Sequence, residues 1–255
     1  MLKIEAGDAE RFAISARAFA DFTRALGPIA VVDLETTGLP DNPGAELLEF
    51  GAVCFDREGS EVTTAQTLVR PRTALPLLIR RLTGLSDADV SEAPTKEEVA
   101  AEIAALLAGR VLIAHNADFE RTFLARCVDP ALADAVFLDT QDLLALTHPD
   151  APDLRLESFT RMLLSTEERH RALDDALDTA RVLSRISDGA ASGSSRYLTA
   201  RAALDRYAPE SPWLALLGQQ LDVDSQSESN PYIEVGPSAE KPVAFDEEAI
   251  ASALS

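Results

Sequence analysis

Three β-rich runs in succession constrain this chain more than any other feature. Residues 29–36 (IAVVDLET), 47–56 (LLEFGAVCFD) and 61–69 (EVTTAQTLV) are joined by short connections containing Gly, Pro, Asn or Asp, the pattern of an antiparallel meander. Beyond them the period changes. TKEE at 95–98 has the Thr-x-x-Glu form of a capping box and opens a helical pattern to about Leu107. RVLIAHN then reads as a short buried strand, ADFERTFLARC as a helix and DAVFLDT near 134–140 as a further strand. The remainder to about Ser187, including RALDDALDTARVLSRIS, is helical in pattern. Strands first and alternation afterwards predict an α/β fold, a mixed sheet flanked by helices. With 255 residues and 46% hydrophobic content, the chain can bury a core for one ordinary domain plus appendages.

The flanks are organised differently. Phe12, Ala16, Phe19, Phe22 and Leu26 recur at helical spacing with Asp8 as an N-cap, so residues 1–28 are expected to form an N-terminal helical extension. The main domain spans 29–188. SDGAASGSS at 187–195 has linker composition, 196–221 reads as a small C-terminal helical extension, and 222–255 as an acidic linker followed by the start of another helix. That last helical signal, from Asp246, is cut short at Ser255, which predicts a longer natural polypeptide.

Charge narrows the function. Asp and Glu number 43 against 23 Lys and Arg, a net of −20, which excludes a broad electropositive footprint and requires any polyanion to be met locally. Basic residues are arginine except at Lys3, Lys96 and Lys241. Arg70, Arg72, Arg80 and Arg81 cluster in VRPRTALPLLIRRL, where phosphate contacts and plain surface ion pairs fit equally well. Cys54 and Cys127 lie in apolar contexts and read as packed, reduced thiols, hence a cytoplasmic setting. Glu5, Asp8 and Glu10 occupy the N-terminus in place of a basic region, and no stretch approaches the ~18 apolar residues of a membrane span.

Asp33 and Glu35 sit inside the first of the β runs. Alternation points both to one face, roughly 7 Å apart. Taken alone, the pair fits a solvated sheet edge as well as a site, because a bare buried carboxylate costs several kcal/mol. Two other segments change that balance: HNADFE at 115–120 and HRALDDALD at 170–178 each join a histidine to acids, and the chain has only three histidines. The third, His148 in LTHPD, is expected in a solvated loop. Hard oxygen ligands from separate elements suit Mg²⁺ or Mn²⁺ and a two-metal clamp on a phosphodiester, with histidine as base.

VVDLETTGL, HNADFE and HRALDDA, in this order and at these separations, resemble the three motifs of the DnaQ-like (DEDDh) 3′–5′ exonucleases over about residues 29–186. The resemblance implies a ribonuclease H-like fold and removal of nucleoside 5′-monophosphates from the 3′ end of DNA or RNA, single-stranded DNA foremost, as in DNA repair. It makes Asp33, Glu35 and Asp175 ligands of two divalent cations, Mg²⁺ or Mn²⁺, and His170 the general base. Thr36, Thr37, Gly38 and Leu39 would shape the pocket for the terminal nucleotide, with His115, Asn116 and Phe119 also at the substrate. Asp174 and Asp178 would be solvated helix residues. Residues five apart on a helix differ by about 140°, so His170 is expected in the loop before the helix that carries Asp175.

One motif departs from the family pattern. Where an Asp should follow Phe119, Glu120 stands, a ligand one methylene longer, and Asp118 is the competing acid. Residues two apart on a helix differ by about 200°: if Glu120 faces the site, Asp118 faces away as a helix cap or dipole partner. The same departure leaves a second expectation open, a weakened module that binds nucleic-acid ends without cutting them. PWLALLGQQL and the segment after it resemble, more faintly, the region joining such exonuclease domains to DinG-type helicases, implying a helicase or polymerase component as partner. The chain has no Gly-x-x-x-x-Gly-Lys-Ser/Thr phosphate loop of its own.

Overall fold

The structure, a computed structural model, describes residues 1–218 except Ser60 and Glu168. Its centre is a six-stranded sheet: β1 (Lys3–Asp8), β2 (Ile29–Thr36), β3 (Leu47–Phe55), β4 (Glu61–Leu68), β5 (Val111–Ala114) and β6 (Phe137–Asp139), in the order β1-β4-β3-β2-β5-β6. The short connections make β2, β3 and β4 antiparallel neighbours. β5 and β6 arrive through helical crossovers and lie parallel to β2 and to each other, as crossover connections require. This is the mixed ribonuclease H-like sheet expected from the sequence.

Helices cover both faces. On one side α1 (Ala16–Leu26) and α8 (Ala172–Ala191) pack Phe19, Phe22, Ala176 and Leu183 against Ile29, Val31, Val53 and Phe55. On the other, α4 (Lys96–Leu107) and α5 (Ala117–Cys127) pack Val99, Ile103, Phe123 and Leu124 against Ala30, Val32, Leu34 and Ala52. Covered on both faces, β3 is buried at all of its positions, which is why it reads as a near-continuous apolar run. The free thiols of Cys54 and Cys127 are buried, and burial pushes Cys54 up to about 11.

β3 also sets the closest helix–sheet approach. A Cβ on Gly51 would lie 2.2 Å from the backbone C of Ala172 and N of Leu173, at the start of α8. Neither backbone can give way, so Gly51→Ala is expected to lower stability by about 3 kcal/mol. A urea titration that leaves the midpoint at the wild-type value would show this contact to be absent.

The flanks differ from the sequence expectation. Residues 3–8 are not helical: β1 pairs antiparallel with β4 and covers that sheet edge. Its side chains are almost all exposed, so hydrogen bonding to a waiting edge, not an apolar pattern, makes the strand. Asp8 caps a single 3₁₀ turn by accepting from Arg11 N, and Ser15 caps α1. The 187–195 stretch is no linker up to Ala191, because α8 continues through it; Gly189 is needed where the Tyr197 ring comes within 2.2 Å of a would-be Cβ. Two helices in the loop after β4, α2 (Leu77–Thr83) and α3 (Asp87–Ser91), had no clear periodic signal.

Further on lie α6 (Thr140–Thr147), α7 (Leu156–Phe159), a π-helical turn at Thr160–Leu164, α9 (Ser195–Tyr207) and α10 (Trp213–Leu216). The last two are the expected C-terminal helical piece, and Trp213 stacks on Phe22 of α1 at 5.7 Å. Residues 1–218 form one compact unit; the expected acidic linker and terminal helix fall outside the described residues. Among the described residues no helix is long and apolar enough to cross a membrane.

Candidate active site

β2 supplies the first two acids. Ile29 and Val31 face α1 and α8, so alternation sends Asp33 and Glu35 to that same face. β2 pairs with β5 only from Ile29 to Val31, so both acids project past that pairing, at the end of the sheet where α5 begins. The register slips between Glu35 and Thr36, a bulge of the kind that re-aims a strand beside a site.

Beyond the bulge, the Thr37 hydroxyl accepts from Glu46 N at 2.8 Å, Thr37 N donates to Glu46 O at 2.9 Å, and the Thr36 hydroxyl donates to Gly38 O at 2.7 Å. Leu39, 67% exposed, tips this turn. Arg126 of α5 holds the turn from behind, donating to the carbonyls of Pro40, Asn42 and Ala45 at 3.2–3.4 Å.

Glu120 lies in the first turn of α5 and is 3% exposed, whereas the Asp118 side chain is 97% exposed beside Arg121. The two acids thus point apart, Glu120 inward. Burial, reinforced by the Asp139 and Glu35 charges, pushes the Glu120 carboxyl well above the usual carboxylate range. Its Oε2 has no hydrogen-bond partner among the described residues. Asp118 does not cap the helix. Asp139, at the end of β6, does so from outside, accepting from Asn116 N at 3.1 Å and Ala117 N at 2.8 Å, while it caps its own helix α6 by accepting from Gln141 N at 2.9 Å. That anchor holds Asn116 in the left-handed region at φ 77°. The Phe119 ring packs at a tilt against Phe123, centroids 4.9 Å apart.

His115 is braced from both sides. One ring nitrogen, Nδ1, meets the Thr140 hydroxyl at 2.8 Å, and Nε2 meets Leu154 O at 2.7 Å. Burial lowers its pKa; a neutral ring facing a carbonyl must donate through Nε2 and accept at Nδ1. The substrate contact expected of His115 is therefore not available to either ring nitrogen.

His170 sits in the loop ahead of α8 at φ 51°, a left-handed conformation rare for a non-glycine residue. Asp175 is buried in the first turn of that helix. The placement answers the 140° problem: one ligand atom each from Glu35, His170 and Asp175 come within 4.8 Å of one another. Asp174 stays half-buried at the helix surface. Asp178 was expected in solvent but is buried, paired with Arg181 at 2.7 Å, because α8 lies against the sheet through this turn. His148 was likewise expected in a solvated loop. It is buried instead, its Nδ1 at 2.9 Å from the Thr147 hydroxyl and its ring edge-on to Phe159 and Tyr197, because α9 folds over it.

Three of the four clustered arginines meet partners within the fold. Arg72 bonds Glu46 at 2.6 Å, Arg80 approaches Asp87 at 3.3 Å and Arg70 donates to Ser91 O. The donors that converge at the end of the sheet are carboxylates and an imidazole, a set that suits a hard divalent cation. The buried, unbonded oxygen of Glu120 fits the same demand, since such an oxygen is costly unless something meets it.

Residues 30–183 match the family model described as RNase_T exonuclease. The chain belongs to this exonuclease family. Asp33, Glu35, Glu120, His170 and Asp175 all fall inside the matched range. The chain is 32% identical over 164 residues to the DNA polymerase III PolC-type of Caldanaerobacter subterraneus subsp. tengcongensis, across 63% of this chain and 12% of that protein. It is 30% identical over 160 residues to the 3′-5′ exonuclease DinG of Bacillus subtilis, across 61% and 17%. The match thus spans no more than a fifth of either relative. Among solved structures, a full-length 3′-exonuclease shares the fold at 22% identity and a TM-score of 0.50, covering 64% of this chain and 62% of that one.

Two acids that hold the surroundings of this cluster were not singled out in the sequence. Asp139 ends a short strand and looks like an ordinary helix N-cap, which it also is. Glu49 carried a readable signal, a lone acid inside LLEFGAVCF, and is buried against Arg171.

Proposed function

We propose that this chain removes nucleoside 5′-monophosphates one at a time from the 3′ end of a nucleic acid, with single-stranded DNA as the preferred substrate. The observation that carries the reading is the convergence of Glu35, His170 and Asp175 within 4.8 Å in a member of the exonuclease family. Asp33, Glu35, Glu120 and Asp175 would hold two divalent cations, Mg²⁺ or Mn²⁺. When bound, these supply Lewis acidity at the scissile phosphate and bring local positive charge to an acidic protein.

The protein's own groups do the rest. His170 takes the proton from the attacking water, and its place in the loop lets its ring approach the acids from a direction the helix could not give it. The Thr36–Gly38 turn seats the terminal nucleotide, exposed Leu39 presses on its base, and Asn116 and Phe119 line the far side; His115 contributes by bracing β5. The 3′–5′ direction and the larger assembly follow the names of the PolC-type and DinG relatives, so the chain would serve a polymerase or helicase component.

A 3′-labelled DNA oligomer and its RNA counterpart, each with Mg²⁺, Mn²⁺ or EDTA, test the reading. Metal-dependent appearance of labelled 5′-mononucleotide is expected, faster from DNA. Tight binding of the ends with no release would replace it by the end-binding module that Glu120 leaves open.

His170→Ala is expected to lower kcat by about 10² to 10⁴, the range for a lost general base, while Mn²⁺ still binds. An unchanged pH–rate profile in that variant would remove His170 from the chemistry.

A further inference from the structure

We infer that Glu49 and Arg171 form a clamp that positions His170, so that two residues outside the ligand set determine how fast the proton is moved. This rests on the reading of His170 as base given above.

Glu49 stands directly across from Glu35 in the β2–β3 register, on the face that carries Asp33 and Glu35. Cross-strand partners are about 5 Å apart, so two carboxylates meet at the sheet end. Glu49, 2% exposed, is met by the Arg171 fork: Nε donates to Oε2 at 2.9 Å and Nη2 to Oε1 at 2.8 Å. Ala172 N adds a longer bond to Oε2 at 3.4 Å.

Arg171 follows His170 directly and is the N-cap residue of α8. The clamp therefore grips the chain one residue from a histidine held at φ 51°. A non-glycine residue persists there only when its surroundings fix it. Gly51, two residues along β3 from Glu49, adds the second grip by admitting the Ala172–Leu173 backbone. Between them, β3 fixes the chain where it enters α8, and with it the loop backbone that carries His170.

The pairing has a further consequence for charge. The Glu35 charge also reaches Arg171, while the direct bonds to Glu49 raise the guanidinium pKa most. Glu49 thus keeps a cation satisfied at the edge of the carboxylate cluster. A planar fork held by two parallel bonds fixes direction, which a lysine ammonium would not.

The test is a double-mutant cycle between the clamp and His170. Arg171→Lys and, separately, Glu49→Gln are expected to lower kcat for nucleotide release 10- to 100-fold, with KM and Mn²⁺ affinity within about threefold of wild type. Combined with His170→Ala, neither should cause further loss, because a residue that acts only through His170 has nothing left to position. A purely structural role would move KM or Mn²⁺ binding and would add to the His170→Ala loss. Additive losses, or a wild-type kcat in both single variants, would overturn the clamp while leaving His170 as base. A wild-type kcat in His170→Ala alone would overturn both.

Discussion

Asp175→Ala is expected to reduce nucleotide release to below about a thousandth of the wild-type rate, the scale on which a single preorganised electrostatic group acts in catalysis. The fold should survive. Asp175 lies in the first turn of α8, where an acid contributes about 0.5 kcal/mol through the helix dipole. Its neighbours are Glu35 and His170, and removing one carboxylate also relieves its repulsion with Glu35. Thermal unfolding should therefore shift little while Mn²⁺ affinity falls sharply, and Asp33→Ala should behave alike. Turnover retained in either variant would refute the proposed ligand set, whatever the stability result.

Glu120→Gln is expected to inactivate the enzyme and Asp118→Asn to leave it intact. The amide that Glu120→Gln introduces keeps the shape but lacks the charge a hard cation requires. Asp118 has an exposed side chain beside Arg121, and exposed pairs contribute little. The extra methylene of glutamate, about 1.5 Å, is absorbed by its own χ angles, so activity with Mg²⁺ and with Mn²⁺ should differ less than in relatives with aspartate. Inactive Asp118→Asn beside active Glu120→Gln would reassign the ligand.

A pH experiment reports on the same residue. Burial raises the Glu120 pKa in the folded, metal-free protein above its unfolded value. The stability that the protonated carboxyl contributes is then fully present below the unfolded pKa and is lost as pH rises through the folded one. Metal-free wild type should lose stability across that window and Glu120→Gln should not. Equal slopes of stability against pH in the two proteins would contradict the burial of this carboxyl.

The motif residues were readable because their chemistry is local to the sequence. Two acids at strand spacing in an apolar run, and a histidine five residues before an acid, fix faces and directions through periods of 2 and 3.6 alone. That reasoning puts Asp33 and Glu35 on one face; it also takes His170 off the helix and turns Asp118 away from Glu120, as observed. Glu120 over Asp118 as ligand was selected by the family resemblance, and the helix period supplied only the consequence that the two must diverge.

Periodicity carried no information about partners distant in the chain. His148 read as a loop residue because nothing near it in sequence shows that α9 will cover it. β1 read as helix because an exposed strand with mixed side chains has no apolar pattern, and only the open edge of β4 decides it. His115 looked like a substrate ligand until Thr140 and Leu154, 25 and 39 residues on, took both its nitrogens. By itself the sequence determined the central strands, the mixed sheet and the helix that opens at the capping box, since these follow from local periods and side-chain chemistry. Tertiary structure alone decided which carboxylates meet across the sheet, that Glu49 is answered by Arg171 122 residues away, and that His148 is covered by α9. Burial, hydrogen-bond satisfaction and pKa are properties of packed neighbours, and neighbours are set by the fold.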